Sequence, residues 1–248
     1  MNSDNPAPFF LKGSTTGVLL LHGFTSTPQS VRYVGHRLHE LAGVTVMAPL
    51  LAGHGATPEA FAQTGFRDWI ESAEAALKLL RQYCSSVCIA GVSLGGTIAL
   101  NLSIRCEGLV DKVATINGST GLYSPEQMMV FFEGSPDAYH PGIGSDIKNP
   151  DRREICYDRI PFATLKERYI LATATGQMLP MLTKPILIMQ SRTDHVVSPK
   201  NGKRIEQSVA SRTVRYRWLE DSFHVATLDN DRDSVAQELA EFITTHPS

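Results

Sequence analysis

Val87-Cys88-Ile89-Ala90-Gly91-Val92-Ser93-Leu94-Gly95-Gly96-Thr97-Ile98-Ala99-Leu100 holds a strand, a tight turn and a helix in one short run. The unbroken apolar residues 87–90 suit a strand covered on both faces of a parallel sheet. From Thr97 onward the residue types and apolar spacing suit a helix. Between them stands Gly-x-Ser-x-Gly. Glycines two residues before and two after the serine permit close backbone approach and tolerate the strain of a strand-to-helix reversal. Such a reversal pushes Ser93 out at the carboxyl end of the sheet, beside a helix amino terminus that favours negative charge. The bare pattern arises by chance in roughly one chain in ten of this length. The flanking strand and helix separate it from a glycine-rich turn with an incidental serine.

The same alternation continues outward. Toward the amino terminus, 8–12 reads as a short edge strand and 17–21 as a buried one that ends at His22-Gly23-Phe24-Thr25. A helix starts after Thr27-Pro28, presents Val31, Val34, Leu38 and Leu41, and is closed by Gly43. Residues 44–48 return as a strand, the loop holding Gly53-His54-Gly55 follows, and a helix over 67–83 shows Trp69, Ala73, Leu77 and Leu80 as its core stripe. Beyond the opening stretch, 112–116 is the next strand. A βαβαβαβ series of this kind implies a parallel sheet with helices on both faces and right-handed crossovers.

The rhythm breaks over 118–183, where no buried strand is legible and the helical fragments are 125–132 and 165–179. Long excursions of this type serve as functional insertions or lids. Met128, Met129, Phe131, Phe132, Met178 and Met181 give it a soft apolar character, fit either for hydrophobic ligands or simply for packing onto the sheet. The strand 185–190 then runs into Ser191-Arg192-Thr193-Asp194-His195. Ser198 and Pro199 read as the cap and first residue of a helix with Ile205 and Val209 facing inward. Alternation over 213–219 suits a strand near the sheet edge, and Glu220-Asp221-Ser222-Phe223-His224 follows it. A last helix over 231–244 presents Val235, Leu239, Phe242 and Ile243.

At 248 residues with a net charge of -2, the chain fits one α/β domain with a sizeable core, residues 1–248, and offers no basic footprint for nucleic acid. Cys84, Cys88, Cys106 and Cys156 form no Cys-x-x-Cys pair, which argues against a metal site or disulfide framework. The amino terminus lacks a basic leader region, and the apolar run at 18–21 is far short of a membrane span. These features lead to the expectation of a cytoplasmic protein without an integral membrane segment. Asn101 and Asn117 head glycosylation triplets that mean nothing more without a secretory leader.

Ligands of open parallel sheets bind outside the carboxyl ends of the strands. Ser93, Asp194 and His224 each follow a strand, in the chain order serine, acid, histidine. A serine hydroxyl is barely ionised at neutral pH, so it needs a base in hydrogen-bond reach and a carboxylate to hold that base's tautomer. Asp221 is the substitute acid. Among rival histidines, His195 should point away from Asp194, His36 and His39 lie on a crossover helix, His140 in the excursion, and His246 in the tail. His54 follows a strand but breaks the order by preceding the serine. A carbonyl under attack also needs two backbone N–H donors, those of Leu94 and Phe24, whose side chains are irrelevant to that role. His22 reads as a buried histidine bonded to nearby backbone.

Taken together, 20–25, Gly53-His54-Gly55, Asp68-Trp69, 91–96, Asp194, His224-Val225 and Thr227-Leu228-Asp229 resemble the α/β-hydrolase superfamily, and within it compact bacterial carboxylesterases and monoacylglycerol lipases. The resemblance implies an α/β-hydrolase fold: a mostly parallel central sheet, helices on both faces, and a small helical cap, here about 118–183, inserted after the strand that follows the nucleophile helix. It implies a serine esterase with no cofactor, working through an acyl-enzyme intermediate; the expected substrates are short to medium acyl esters, monoacylglycerols among them, and no metal is expected. The cap itself matches nothing residue by residue. Its apolar residues fit either substrate access or the contact of a homodimer. The same triad chemistry also suits an amide, thioester, lactone or C–C bond, and a ligand receptor with negligible turnover is the reading from another class.

Overall fold

The computed structural model describes residues 4–132, 135 and 137–245; His246 lies outside them. Nine strands are present among these residues: β1 (Phe9–Leu11), β2 (Thr16–Leu21), β3 (Thr45–Ala48), β4 (Ser86–Val92), β5 (Lys112–Ile116), β6 (Tyr139–Pro141), β7 (Arg159–Pro161), β8 (Ile186–Ser191) and β9 (Val214–Leu219). The helices are α1 (Gln29–Ala42), α2 (Pro58–Ala62), α3 (Phe66–Arg81), α4 (Leu94–Arg105), α5 (Pro125–Met129), α6 (Phe162–Met178), α7 (Lys200–Ser208) and α8 (Arg232–Thr244).

Seven strands make one sheet in the order β1-β3-β2-β4-β5-β8-β9. Every pairing in it is parallel except that of β1 with β3. Because successive side chains of a strand point to opposite faces, the apolar run of β2 supplies both layers at once. Val18 and Leu20 join Val31, Val34 and Leu38 of α1 and Val235 and Leu239 of α8 in one cluster. Leu19 and Leu21 join Trp69 and Leu77 of α3, Ile98 of α4 and Ile205 of α7 in the other. Burial of each such side chain stabilises the fold by about 1.5–3 kcal/mol, which is why β2, β4 and β8 contain unbroken apolar runs, at 18–21, 87–90 and 186–189. The α/β-hydrolase fold expected from the sequence is the fold observed. No helix among the described residues is long and apolar enough to cross a membrane.

Local differences have local causes. Leu41 is 42% exposed: at 100° per residue it lies at the margin of the stripe set by Val31, Val34 and Leu38. Gly43 ends α1 as expected, in the left-handed region at φ 62°, with its N–H donated to the His39 carbonyl. α7 begins at Lys200 rather than Pro199, and Ser198 Oγ accepts from Lys200 N at 3.4 Å, the side-chain contact expected of a cap at that position. α6 is longer than the expected 165–179 fragment at its amino end, whereas α5 stops short of residue 132. The excursion also contains a two-stranded antiparallel ribbon, β6 with β7, and α2 precedes α3. These pieces are too short to show a periodicity.

The centre of the sheet is unusually close-built. A Cβ added at Gly95 would lie 2.4 Å from the Leu21 carbonyl oxygen and 2.6 Å from that of His22, and one at Gly91 would lie 2.2 Å from the Gly95 carbonyl carbon. All three neighbours are backbone and none can swing aside. Gly95→Ala should therefore cost about 3 kcal/mol or more in urea unfolding, whereas Gly108→Ala, with nothing within 4 Å of its added Cβ, should change stability by less than about 1 kcal/mol.

Candidate active site

Among the described residues, three that are not glycine have positive φ: Thr25 at 61°, Ser93 at 53° and Asn117 at 52°. Each stands just past the carboxyl end of a strand, after β2, β4 and β5 respectively. Ser93, at ψ -115°, is held by its own N–H, donated to the Ile116 carbonyl at 2.9 Å, and by its carbonyl, which accepts from Thr97 N at 3.1 Å. Strain of this kind costs about 1–3 kcal/mol and persists where the surroundings over-determine it. Here Gly91, Gly95 and Gly96 allow the neighbouring backbone to press in from three sides.

Leu94 opens α4 and Phe24 follows β2, and among the described residues neither backbone N–H meets a protein acceptor. The peptide group between Gly23 and Phe24 is held from its other end. His22 Nδ1 donates to the Gly23 carbonyl at 3.0 Å, and Ser26 N reaches the same oxygen at 3.3 Å. Leu51 N donates to His22 Nε2 at 3.1 Å, which fixes the tautomer with the proton on Nδ1. Burial pushes the His22 imidazole down to about 4, so it stays neutral in this role at ordinary pH.

His224 Nδ1 donates to Asp194 Oδ2 at 2.8 Å. Both side chains are almost wholly buried, at 8% and 0% exposure. Asp194 Oδ1 accepts from Val196 N at 2.9 Å and Val197 N at 2.8 Å, which leaves its other oxygen aimed at the ring. Burial opposes the charge on Asp194, yet the His224 partner and these backbone bonds outweigh it and lower its pKa. Burial likewise opposes charging of His224, and the charge and hydrogen bond of Asp194 outweigh it and raise the imidazole pKa above its ordinary value.

The rival residues lie elsewhere. Asp221 pairs with Lys148 at 2.5 Å on the surface. His54 is buried in an aromatic cluster with His22, Phe61 and Trp69. His195 binds Asp146 at 2.8 Å, His39 the Val44 carbonyl and His140 the Pro141 carbonyl, while His36 stacks on Phe9.

Ser93 and His224 line one cavity of about 20 Å³ together with Gly23, Phe24, Thr25, Ile143, Gly144, Glu154, Arg168, Val196 and Val225. That is room for about one water, whose own requirement is roughly 10–15 Å³. A cleft of about 320 Å³ adjoins it, sharing Ile143, Arg168 and Val196. The larger groove of about 710 Å³ between α3, α4 and α6 contains none of these polar residues of the centre. The excursion thus reaches Ser93 through Ile143, Gly144, Glu154 and Arg168, and none of the expected methionines or Phe131 and Phe132 lines the cavity. Met128, Met129, Phe132 and Met181 are exposed instead.

Glu154 and Arg168 escaped the sequence reading because isolated charges in a loop and on a helix look like solvated surface. Burial pushes the Glu154 carboxyl up to about 7, against the lowering influence of Ser26 and His224 beside it. Arg168 is buried with the Phe24 and Tyr169 rings against its guanidinium, and its Nε has no partner. Asn117 was legible only as a glycosylation triplet. It is fully buried, and its Nδ2 donates to the His224 carbonyl at 2.7 Å and to Ser191 Oγ at 2.9 Å.

Comparison with known proteins agrees with this architecture. The pattern of the alpha/beta hydrolase family matches residues 18–238. A thermostable monoacylglycerol lipase of Bacillus sp. (strain H-257) is 36% identical, over 96% of this chain and 94% of that protein. A carboxylesterase of Bacillus subtilis (strain 168) is 32% identical, over 96% of each. A solved structure from work on two metagenome-derived lipolytic enzymes, LipS and LipT, superposes with a TM-score of 0.94 at 35% identity, covering 98% of this chain and 99% of that one. With family, fold and relatives in agreement, the chain belongs to the alpha/beta hydrolase family and is an ester hydrolase.

Proposed function

We propose that the protein hydrolyses carboxylic esters, monoacylglycerols among them, through a triad of Ser93, His224 and Asp194 and an acyl-enzyme intermediate. The observation behind this reading is that the buried Asp194–His224 pair opens onto the same cavity as the strained Ser93. His224 Nε2 takes the Ser93 proton as Oγ attacks the ester carbonyl. Asp194 holds the ring and stabilises the imidazolium that results. The N–H groups of Phe24 and Leu94 receive the developing oxyanion, in a preformed arrangement that costs no reorganisation. His224 then gives its proton to the departing alcohol. Water, deprotonated by the same ring, releases the acid and restores Ser93.

The alcohol side of the substrate is assigned from Glu154. Glu154 lines the same cavity as Ser93, and its carboxyl, pushed up to about 7 by burial, accepts hydrogen bonds when ionised and donates one when protonated, so it suits the free hydroxyls of a glycerol ester. The relative at 36% identity is named for monoacylglycerol hydrolysis. The cavity at about 20 Å³ holds the reacting carbonyl, and the adjoining cleft of about 320 Å³ is of the size usual for ligand sites, above about 300 Å³. The homodimer and the cytoplasmic location remain expectations of the sequence alone.

Ser93→Ala should abolish turnover of a nitrophenyl ester and labelling by a fluorophosphonate while its thermal midpoint holds; measurable turnover by this variant refutes the triad. The base must be neutral to act, so kcat/KM should fall as pH drops through an apparent pKa above 6.5, the ordinary value from which His224 is raised. Asp194→Asn should move that limb downward and reduce kcat by about 10⁴-fold. Glu154→Leu should raise KM for a monoacylglycerol by about 10-fold or more, the worth of a hydrogen bond to a charged group, and leave a nitrophenyl ester within about 2-fold; equal effects on both esters would remove Glu154 from the alcohol site.

A further inference from the structure

Residues 142–158, between β6 and β7, run over the catalytic cavity, where Ile143, Gly144 and Glu154 line it. The same loop extends one carboxylate to the two loops that hold the Asp194–His224 pair. Asp146 Oδ2 accepts from His224 N at 3.1 Å and from His195 N, the residue after Asp194, at 3.2 Å. Its Oδ1 binds His195 Nδ1 at 2.8 Å, and its carbonyl accepts from Val225 N at 3.1 Å. The tie is reciprocal. Asp229, fully buried beyond His224, accepts from Lys148 N at 2.7 Å and Asn149 N at 3.0 Å, and also from Phe223 N at 2.8 Å. Arg152 donates to the carbonyls of Leu228 and Asp229.

We infer that Asp146 is a positioning residue for the reaction: it fixes the loop after β8 against the loop after β9, so the alignment of Asp194 with His224 depends on residues 142–158 lying closed over the site. The inference rests on the triad proposed above. The two partners of the pair come from different strands, and a hydrogen bond between them is only as well aligned as the loops that present them. Asn117 joins these loops from the sheet side, through Ser191 and the His224 carbonyl. Asp146 joins them from the opposite side, through backbone N–H groups. Ile143 and Gly144, which line the cavity of about 20 Å³ that an incoming ester must enter, stand three and two residues away in the chain. Substrate binding and triad alignment therefore draw on one loop: lifting it removes the Asp146 anchor, and closing it over the bound ester restores the anchor.

The test is steady-state hydrolysis of nitrophenyl butyrate by Asp146→Ala, Asp146→Asn, His195→Ala and Ser93→Ala, with the low-field imidazole proton of the His224–Asp194 hydrogen bond followed by NMR. Displacement of a catalytic group by about 1 Å costs on the order of 10²-fold. Asp146→Ala should accordingly lower kcat by about 10- to 100-fold with KM within about 2-fold, and lose or broaden the low-field resonance. Asp146→Asn keeps an oxygen for the two backbone N–H groups and should recover most of kcat and the resonance. His195→Ala, which removes the side-chain contact alone, should stay within about 3-fold. Asp146→Ser replaces the alanine variant in the comparison in case the latter does not fold. Wild-type kcat in Asp146→Ala, or equal losses in the Ala and Asn variants, overturns the inference. Turnover by Ser93→Ala overturns the triad itself, so the two failures are distinguishable.

Discussion

Backbone packed against backbone at the carboxyl ends of β2, β4 and β5 is the constraint on which this molecule depends. Gly95 admits the Leu21 and His22 carbonyls at distances where no Cβ fits, and Gly91 admits Gly95 in the same way. That closeness is what lets Ser93 occupy φ 53° and turn a strand into a helix within one residue. It also brings the loop after β2 alongside the amino terminus of α4, so that Gly23 and Phe24 line the same cavity as Ser93. Thr25 and Asn117, the other two strained residues, follow the strands on either side of β4. The strain is thus concentrated along one short line past the carboxyl ends of these central strands, and two apolar layers support it.

Two groups of polar atoms in this centre have a defined duty. His22, neutral because it is buried, is fixed at Nε2 by Leu51 and orients the Gly23–Phe24 peptide through Nδ1. Asp194 spends one oxygen on two backbone N–H groups and the other on His224. The opposite drifts of these two pKa values, Asp194 down and His224 up, express a single interaction that prevails over the desolvation of both partners. Arg168 and Glu154 add charge to a cavity otherwise closed by Phe24, Ile143 and the valines 196 and 225.

Much of the fold and the polar centre is legible in the sequence, for reasons that lie in particular residues. The apolar runs 18–21, 87–90 and 186–189 declare strands buried on both faces, and the stripes of α1, α3 and α8 declare the helices that cover them. Ser93, Asp194 and His224 are legible because each lies in the segment after a strand, β4, β8 and the edge strand β9 respectively, and topology places the ends of parallel strands together. Leu41 and the start of α7 depart from expectation by small rotations and single residues. The excursion was least legible. Its contribution at Ser93 comes from Ile143, Gly144, Glu154 and Arg168, which share no periodicity, while Met128, Met129 and Met181, which looked like a ligand surface, are exposed and Met178 is half-buried.

The sequence by itself determined the layer architecture, the order of the strands' polar termini and the residue types available for chemistry, because period-2 and period-3.6 burial and glycine's missing side chain are local properties. Only the tertiary structure decided which histidine meets which carboxylate, that His54 belongs to an aromatic cluster and His195 to Asp146, and that residues 142–158 close over the serine. Those outcomes depend on contacts between segments far apart in the chain, whose distances are set by how the sheet twists and how the loops above it pack, and no local pattern encodes them.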